Sequence, residues 1–308
     1  MIRTMYPIQK PSRSEFVPIR HLRYHVLQWG TPSPEKTPLV MVHGWMDVAA
    51  SFQFVIDALK DDHWVIAPDW RGFGLTETPH TDNFFFPDYL ADLDQLLDHY
   101  VGSRPVNLLG HSMGGHVATM YAGIRPERIE KLINLEGFGM PATRPAQAPG
   151  RLSKWMDELK ALHRGEMDLK RYPSLEAVAQ RLIKTNPRLS ADKAHWLAQH
   201  WARPNDLGEW RILGHAAHKV VNAQLFKTDE TQAIYERITA PTLCVVAGTD
   251  SMNQWWKDSY TLDEFKQRIA AVPNLTHAVI DEAGHMLHHD QPVELAELIE
   301  QFTTKINT

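Results

Sequence analysis

The chain has 308 residues, 43% of them hydrophobic and 22% charged, an ordinary globular mixture that excludes a disordered or fibrous protein. Its 32 basic and 37 acidic residues leave a net charge of −5 with no sustained run of Lys or Arg, which argues against a nucleic-acid or anionic-membrane partner. The single cysteine, Cys244, excludes an intrachain disulfide and lies in an apolar run, where it reads as a small buried hydrophobe. The amino-terminal stretch has charges but no apolar core, so it does not read as a secretory signal. No stretch approaches the ~18 apolar residues of a membrane span. The expectation is a soluble, cytoplasmic protein with one large domain, or a core domain carrying an insertion.

In chain order, residues 15–29 alternate roughly in twos and predict one or two strands. Short apolar runs at Leu39–Val42, 64–67, 106–109 and 132–135 predict buried strands, each leading into a Gly- or Asp-bearing loop. Helical patterns fill 51–60, 85–100 and 114–124. The alternation then stops. A proline-rich stretch near 140 opens a segment with helical patterns, many Trp and His residues, and no convincing strand. Strands resume at Thr242–Ala247 and 276–280, with helices at 260–270 and 292–304. Strands alternating with helices specify a mostly parallel sheet covered on both faces. The expected division is therefore a core of 1–139 and 236–308, with 140–235 inserted as a helical cap.

The motif that carries chemistry is Gly110-His111-Ser112-Met113-Gly114, a G-x-S-x-G sequence followed by Gly115. Alone the pattern is common. Here a predicted strand runs into it and a predicted helix leaves it, the setting in which a serine sits on a strained turn with its hydroxyl exposed. The helix N-terminus behind it favours developing negative charge. Serine needs a base to take its proton. Among 17 histidines, His285 stands out because it occupies the loop after the last predicted strand. His288 and His289 are close in sequence and read as loop or helix-capping residues. The base needs a carboxylate to hold its tautomer. Asp250, after Thr242–Ala247, gives the chain order Ser, Asp, His. Glu136, after 132–135, is the rival. An oxyanion needs backbone N–H donors, and Trp45 and Met113 are placed to offer them.

Together His43-Gly44-Trp45, Asp69-Trp70-Arg71-Gly72-Phe73-Gly74, the Ser112 motif and Gly284-His285 resemble α/β-hydrolase fold enzymes, over nearly the whole chain outside the insertion. The likeness is to serine hydrolase-like and esterase members rather than to dehalogenases or epoxide hydrolases, which use aspartate at the position of Ser112. It implies an eight-stranded, mostly parallel sheet, a helical cap over the site, and no cofactor. It does not fix a substrate.

Other features have bland readings. Asp69 can accept turn amides and Arg71 can bond nearby carboxylates. His43 and His111 shape loops. His215 and His218, at i and i+3, lack a carboxylate at a persuasive spacing for a metal. Trp196, Trp201, Trp255 and Trp256 are candidates to line a substrate pocket or to glue helices to the core. The expected activity is hydrolysis of a small-molecule carboxylic ester through an acyl-enzyme. Lactone, thioester, amide or carbon–carbon bond cleavage and acyl transfer use the same chemistry. A receptor that keeps the site but turns over little is the reading from another class.

Overall fold

The computed structural model describes residues 5–79 and 81–304. Strands β1 (Arg13–Ile19), β2 (Leu22–Trp29), β3 (Leu39–Val42), β4 (Val65–Pro68), β5 (Val106–His111), β6 (Ile129–Leu135), β10 (Thr242–Ala247) and β11 (Leu275–Ile280) form one sheet. Three further strands, β7 (Arg171–Tyr172), β8 (Ala202–Pro204) and β9 (Trp210–Ile212), lie outside it. The helices are α1 (Gln53–Ala58), α2 (Phe86–Val101), α3 (Met113–Ile124), α4 (Ala148–His163), α5 (Leu175–Thr185), α6 (Ala191–Trp201), α7 (Thr228–Tyr235), α8 (Leu262–Ile269), α9 (Leu287–Asp290) and α10 (Pro292–Thr304).

The sheet order is β1-β2-β4-β3-β5-β6-β10-β11. β1 pairs antiparallel with β2, and β2 antiparallel with β4; every pairing from β4 to β11 is parallel. Side chains along each inner strand separate by parity, as the pleat requires. Leu39 and Met41 of β3 face one core with Leu243, Val245 and Ala247 of β10; α1, α9 and α10 close that side. Val40, Val42, Cys244 and Val246 face the other, under α2, α3 and α8. Both faces are buried, so these strands read as continuous apolar runs. Each fully buried Val, Leu, Ile or Phe side chain contributes about 1.5–3 kcal/mol.

The Asp69–Gly74 turn is held by charge. Arg71 donates from Nε and Nη2 to buried Asp92 of α2, at 2.6 and 2.7 Å, and Asp92 also accepts the Tyr24 hydroxyl. Asp69 accepts the Ala49 and Leu75 amides at 2.7 and 2.8 Å and pairs with His25 at 2.7 Å. Gly74, at φ +56°, packs so tightly that a Cβ would lie 2.0 Å from the Asp69 carboxylate. This turn is structural, as its sequence reading holds.

Between β6 and β10 the chain leaves the sheet. The expectation of helices without strands needs correction, because β7, β9 and β8 form a small antiparallel sheet among α4, α5 and α6. Strands of two or three residues are too short to show a period of two. Val178, Leu182, Trp196 and Leu197 of α5 and α6 extend the core on the α1 side, and α7 packs on α3, where a Cβ on Gly123 would meet the Ile234 carbonyl at 2.0 Å. The excursion is pinned to the β4 loop by Phe73, which pairs with Gly214, and by His218, whose ring is sandwiched between Phe73 and Phe84 at 3.8 and 3.7 Å. The His215 ring accepts the Ala217 amide at 3.1 Å, so these two histidines form turn and packing contacts.

Burial lowers the His218 pKa to about 3 and those of His116 and His200 to about 4. An unfolded chain binds protons at these sites near the ordinary value of about 6.5 while the folded one does not. Stability is therefore complete above about pH 6.5 and declines as pH falls toward the folded-state values. Tm measured across this window should fall steadily on acidification, and His218→Phe should flatten part of the slope. A wild-type Tm that does not change from about pH 7 to 4 would contradict the burial of these rings as neutral groups.

Candidate active site

Four loops at the carboxyl ends of parallel strands converge, the position at which sheets of this kind hold ligands. β5 ends in the Gly110–Gly114 turn. Ser112 adopts φ 52°, ψ −118°, a conformation that a non-glycine residue holds only at a cost of about 1–3 kcal/mol. Its amide still bonds the Leu135 carbonyl of β6 at 2.8 Å, and its carbonyl accepts the His116 amide of α3 at 3.0 Å. The turn is tight because α3 starts almost on top of β5 and β3. A Cβ on Gly110 would meet the Gly114 carbonyl oxygen at 2.2 Å, and one on Gly114 would meet the Val42 and His43 carbonyl oxygens at 2.3 and 2.5 Å.

His285 reaches the serine from the loop after β11. Its Nε2 lies 2.9 Å from Ser112 Oγ, and its Nδ1 lies 3.1 Å from Glu136 Oε2. Glu136 follows β6 directly, at φ 54°, and its carboxylate is almost wholly buried. Oε1 accepts the Ala247 amide at 2.8 Å and Oε2 accepts the Ser251 hydroxyl, so both oxygens are engaged as a carboxylate. With Glu136 accepting at Nδ1, Nε2 is left to accept from the serine hydroxyl. Serine, imidazole and carboxylate thus stand in one hydrogen-bonded line.

Asp250 is not in that line. It is exposed, and its Oδ1 accepts the Met252 and Asn253 amides at 3.1 and 3.3 Å, an Asx turn that starts the short helical turn after β10. The expectation that Asp250 faces His285 is therefore corrected in favour of Glu136. It is Ser251, the next residue, that points inward to the Glu136 carboxylate.

The loop after β3 forms the opposite wall. A Cβ on Gly44 would sit 3.0 Å from Ser112 Cβ, so the His43-Gly44-Trp45 backbone runs directly against the serine. His43 fixes that loop from below: its Nε2 accepts the Trp70 amide at 2.9 Å and its Nδ1 donates to the Gly44 carbonyl at 2.7 Å. Burial lowers its pKa, in keeping with the neutral tautomer these bonds require. His111 does the same for the third wall, its Nε2 bonding the His285 carbonyl at 2.7 Å. Met113 is the first residue of α3, immediately after Ser112.

The four tryptophans separate. Trp196 is buried among Phe54, Tyr6 and His200 at ring distances of 5.6, 6.3 and 4.3 Å, a core residue rather than a pocket residue. Trp201 is half-buried and donates Nε1–H to Asp47 at 3.1 Å. Trp256 packs on Tyr260 and Phe138 at 5.5 and 6.5 Å. Only Trp255 meets the site, edge-on to His285 at 4.2 Å and 48% exposed. Ser251 and Phe138, whose ring lies 6.3 Å from that of His285, also border the site. Neither carries a motif, and only the loops they occupy pointed to them. Among the described residues, neither cluster able to hold a metal includes Ser112, His285 or Glu136.

The family model for the alpha/beta hydrolase fold matches residues 37–292. A serine hydrolase-like protein of Danio rerio is 31% identical over 302 residues, covering 94% of this chain and 88% of its own. A cis-3-alkyl-4-alkyloxetan-2-one decarboxylase of Shewanella oneidensis is 25% identical over 282 residues, covering 88% of this chain and 83% of its own. Among solved structures, a thioesterase domain from the curacin biosynthetic pathway superposes with a TM-score of 0.81 at 23% identity, covering 94% of this chain and 99% of that one. The last likeness shows the fold alone.

The packing around the serine turn generates a direct test. Gly114→Ala forces a methyl group into two carbonyl oxygens, and over-packing of this kind typically costs about 1–3 kcal/mol. Urea denaturation should show a lower midpoint for this variant, whereas Gly150→Ala, with no atom within 4 Å of its Cβ, should not be lowered in this way. Equal midpoints would contradict the close approach of α3 to β3.

Proposed function

The chain belongs to the α/β-hydrolase fold family, and from that premise we propose that it is a serine hydrolase that cleaves a carboxylic ester through an acyl-enzyme on Ser112. The observation that carries this reading is the line Ser112 Oγ, His285, Glu136, with 2.9 and 3.1 Å contacts. Ser112 Oγ attacks the carbonyl carbon as His285 Nε2 takes its proton, and the carbonyl π pair moves to oxygen. The backbone N–H groups of Trp45 and Met113 receive that oxyanion, supported by the N-terminus of α3. The imidazolium then protonates the leaving alkoxide as the tetrahedral species collapses to acyl-serine and alcohol. A water molecule, deprotonated by His285, repeats the sequence, releasing acid and restoring the serine.

Glu136 holds the imidazole with Nε2 free to accept and balances the imidazolium charge. Trp255 and segment 140–235 serve as the substrate-facing parts, the segment acting as a cap. The name of the Danio rerio relative, a serine hydrolase-like protein, supports hydrolase-type chemistry and leaves the acyl bond open. A panel of short-chain ester, lactone, thioester and amide substrates ranks those alternatives.

Ser112→Ala should keep its fold and lose turnover by on the order of 10⁴-fold or more, and a fluorophosphonate probe should label the wild type but not the variant. Full labelling of Ser112→Ala would place the nucleophile elsewhere. Glu136→Gln should lower kcat by on the order of 10⁴-fold, since the imidazole then loses its tautomer partner, while Asp250→Asn should cost less than about tenfold because only a turn is affected. Each is measured after circular dichroism shows an intact fold. A dead Asp250→Asn beside an active Glu136→Gln would reverse the assignment.

A further inference from the structure

We propose that Asp47, His288 and His289 form a binding site for one divalent transition-metal ion, with Zn²⁺ as the matching chemistry, which braces the loop after β3 against the segment that follows His285. The three residues are buried and belong to two walls of the site, Asp47 two residues beyond Trp45 and the histidines in α9. One ligand atom from each lies within 4.8 Å of the others. Asp47 Oδ2 is 3.7 Å from His288 Nε2. Three donors each about 2.0–2.2 Å from a zinc ion lie about 3.3–3.5 Å apart, so sub-ångström to ångström side-chain shifts would close the set.

The second observation is what these atoms lack. Asp47 Oδ2, both ring nitrogens of His288 and His289 Nε2 are buried without a hydrogen-bond partner. Leaving such an atom unmade typically costs about 1–3 kcal/mol, and four in one compartment is a concentration that calls for an occupant. The outward atoms, by contrast, are fixed. Asp47 Oδ1 accepts the Val48 amide at 2.9 Å, the Trp201 indole at 3.1 Å and the Ser51 hydroxyl. The His289 ring is held by packing, edge-on to Phe54 at 5.6 Å and against His288 at 4.2 Å. Metal-ligating carboxylates are characteristically held by further hydrogen bonds, as Asp47 is through Oδ1. Two imidazoles and one carboxylate suit a borderline ion such as Zn²⁺ better than Mg²⁺ or Ca²⁺.

The other cluster of ligating residues, Asp61, His63 and Glu300, is different in kind. It is partly exposed, and Glu300 Oε1 already accepts the Lys60 and Asp61 amides at 2.6 and 2.7 Å. It serves as the internal control.

The experiment uses the full chain, stripped with a chelator, incubated with Zn²⁺ and freed of excess metal by desalting, with zinc measured by elemental analysis and Tm recorded alongside. The expected result is close to one zinc per chain with a raised Tm, undiminished in His285→Ala and His63→Ala, and reduced at least tenfold in His289→Ala. Less than a tenth of an equivalent in the wild type overturns the proposal, and so does zinc that survives His289→Ala or is lost only with His285→Ala or His63→Ala. Should His289→Ala not fold, Co²⁺ in the wild type decides. Intense visible bands of a four- or five-coordinate ion support the site, and the weak spectrum of an octahedral ion overturns it. None of these readouts depends on esterase turnover, so the metal site and the proposed activity can fail separately.

Discussion

The backbone at Ser112 is the constraint on which the rest of the site depends. A residue at φ 52°, ψ −118° between a strand and a helix is out of place by local preference, and only surrounding structure can hold it there. The structure does so from three sides. The Ser112 amide remains in the parallel ladder through Leu135, its carbonyl starts α3, and the glycines at 110 and 114 let the two elements meet without a Cβ between them. The same device recurs one strand over, where Glu136 at φ 54° keeps its amide bonded to the Val245 carbonyl of β10 at 3.0 Å. Ser112 and Glu136 therefore leave adjacent strands at positive φ, and the imidazole of His285 fits between them.

Strain is concentrated accordingly. Among the described residues, the non-glycine positions with positive φ include Met46, Ser112, Glu136 and Glu282, one in each of the loops that follow β3, β5, β6 and β11. These are the loops that carry Trp45, Ser112, Glu136 and His285. A neutral histidine supports two of the four. His43 ties the β3 loop to the Asp69–Gly74 turn, and His111 ties the serine turn to the His285 carbonyl. The Arg71–Asp92 pair beneath the turn is buried and bidentate, a contact with a defined planar geometry. A polar network of this kind makes the loops a single unit.

Most of the sheet was legible because burial on both faces writes a strand as a short apolar run, and because the serine motif demands a strand before it and a helix after it. Ser112 and His285 follow from that logic. The carboxylate does not. Chain order favoured Asp250, but order says only which loop comes next, whereas the acid must reach a ring nitrogen. Asp250 has nearby amides at Met252 and Asn253 that satisfy it locally, a competition that sequence shows only as a common turn tendency. Glu136 has a longer side chain and emerges one strand nearer the serine. Trp196 was illegible for a related reason: an aromatic on an amphipathic helix looks the same whether its face meets a pocket or a core. The strands of the insertion were too short to leave any periodic trace.

The place of the carboxylate bears on how the site works. A carboxylate at Asp250 would stand at the surface, where water screens it and weakens its hold on an imidazolium. At Glu136 the carboxylate is buried, its remaining hydrogen-bonding capacity taken by the Ala247 amide and the Ser251 hydroxyl, so its charge acts on His285 through a medium of low polarity. The Ala247 amide and the Ser251 hydroxyl are fixed donors, so the carboxyl group keeps one orientation and directs Oε2 at His285 Nδ1. The fold thus places the carboxylate inside and the imidazole at the rim, beside Trp255 and the serine.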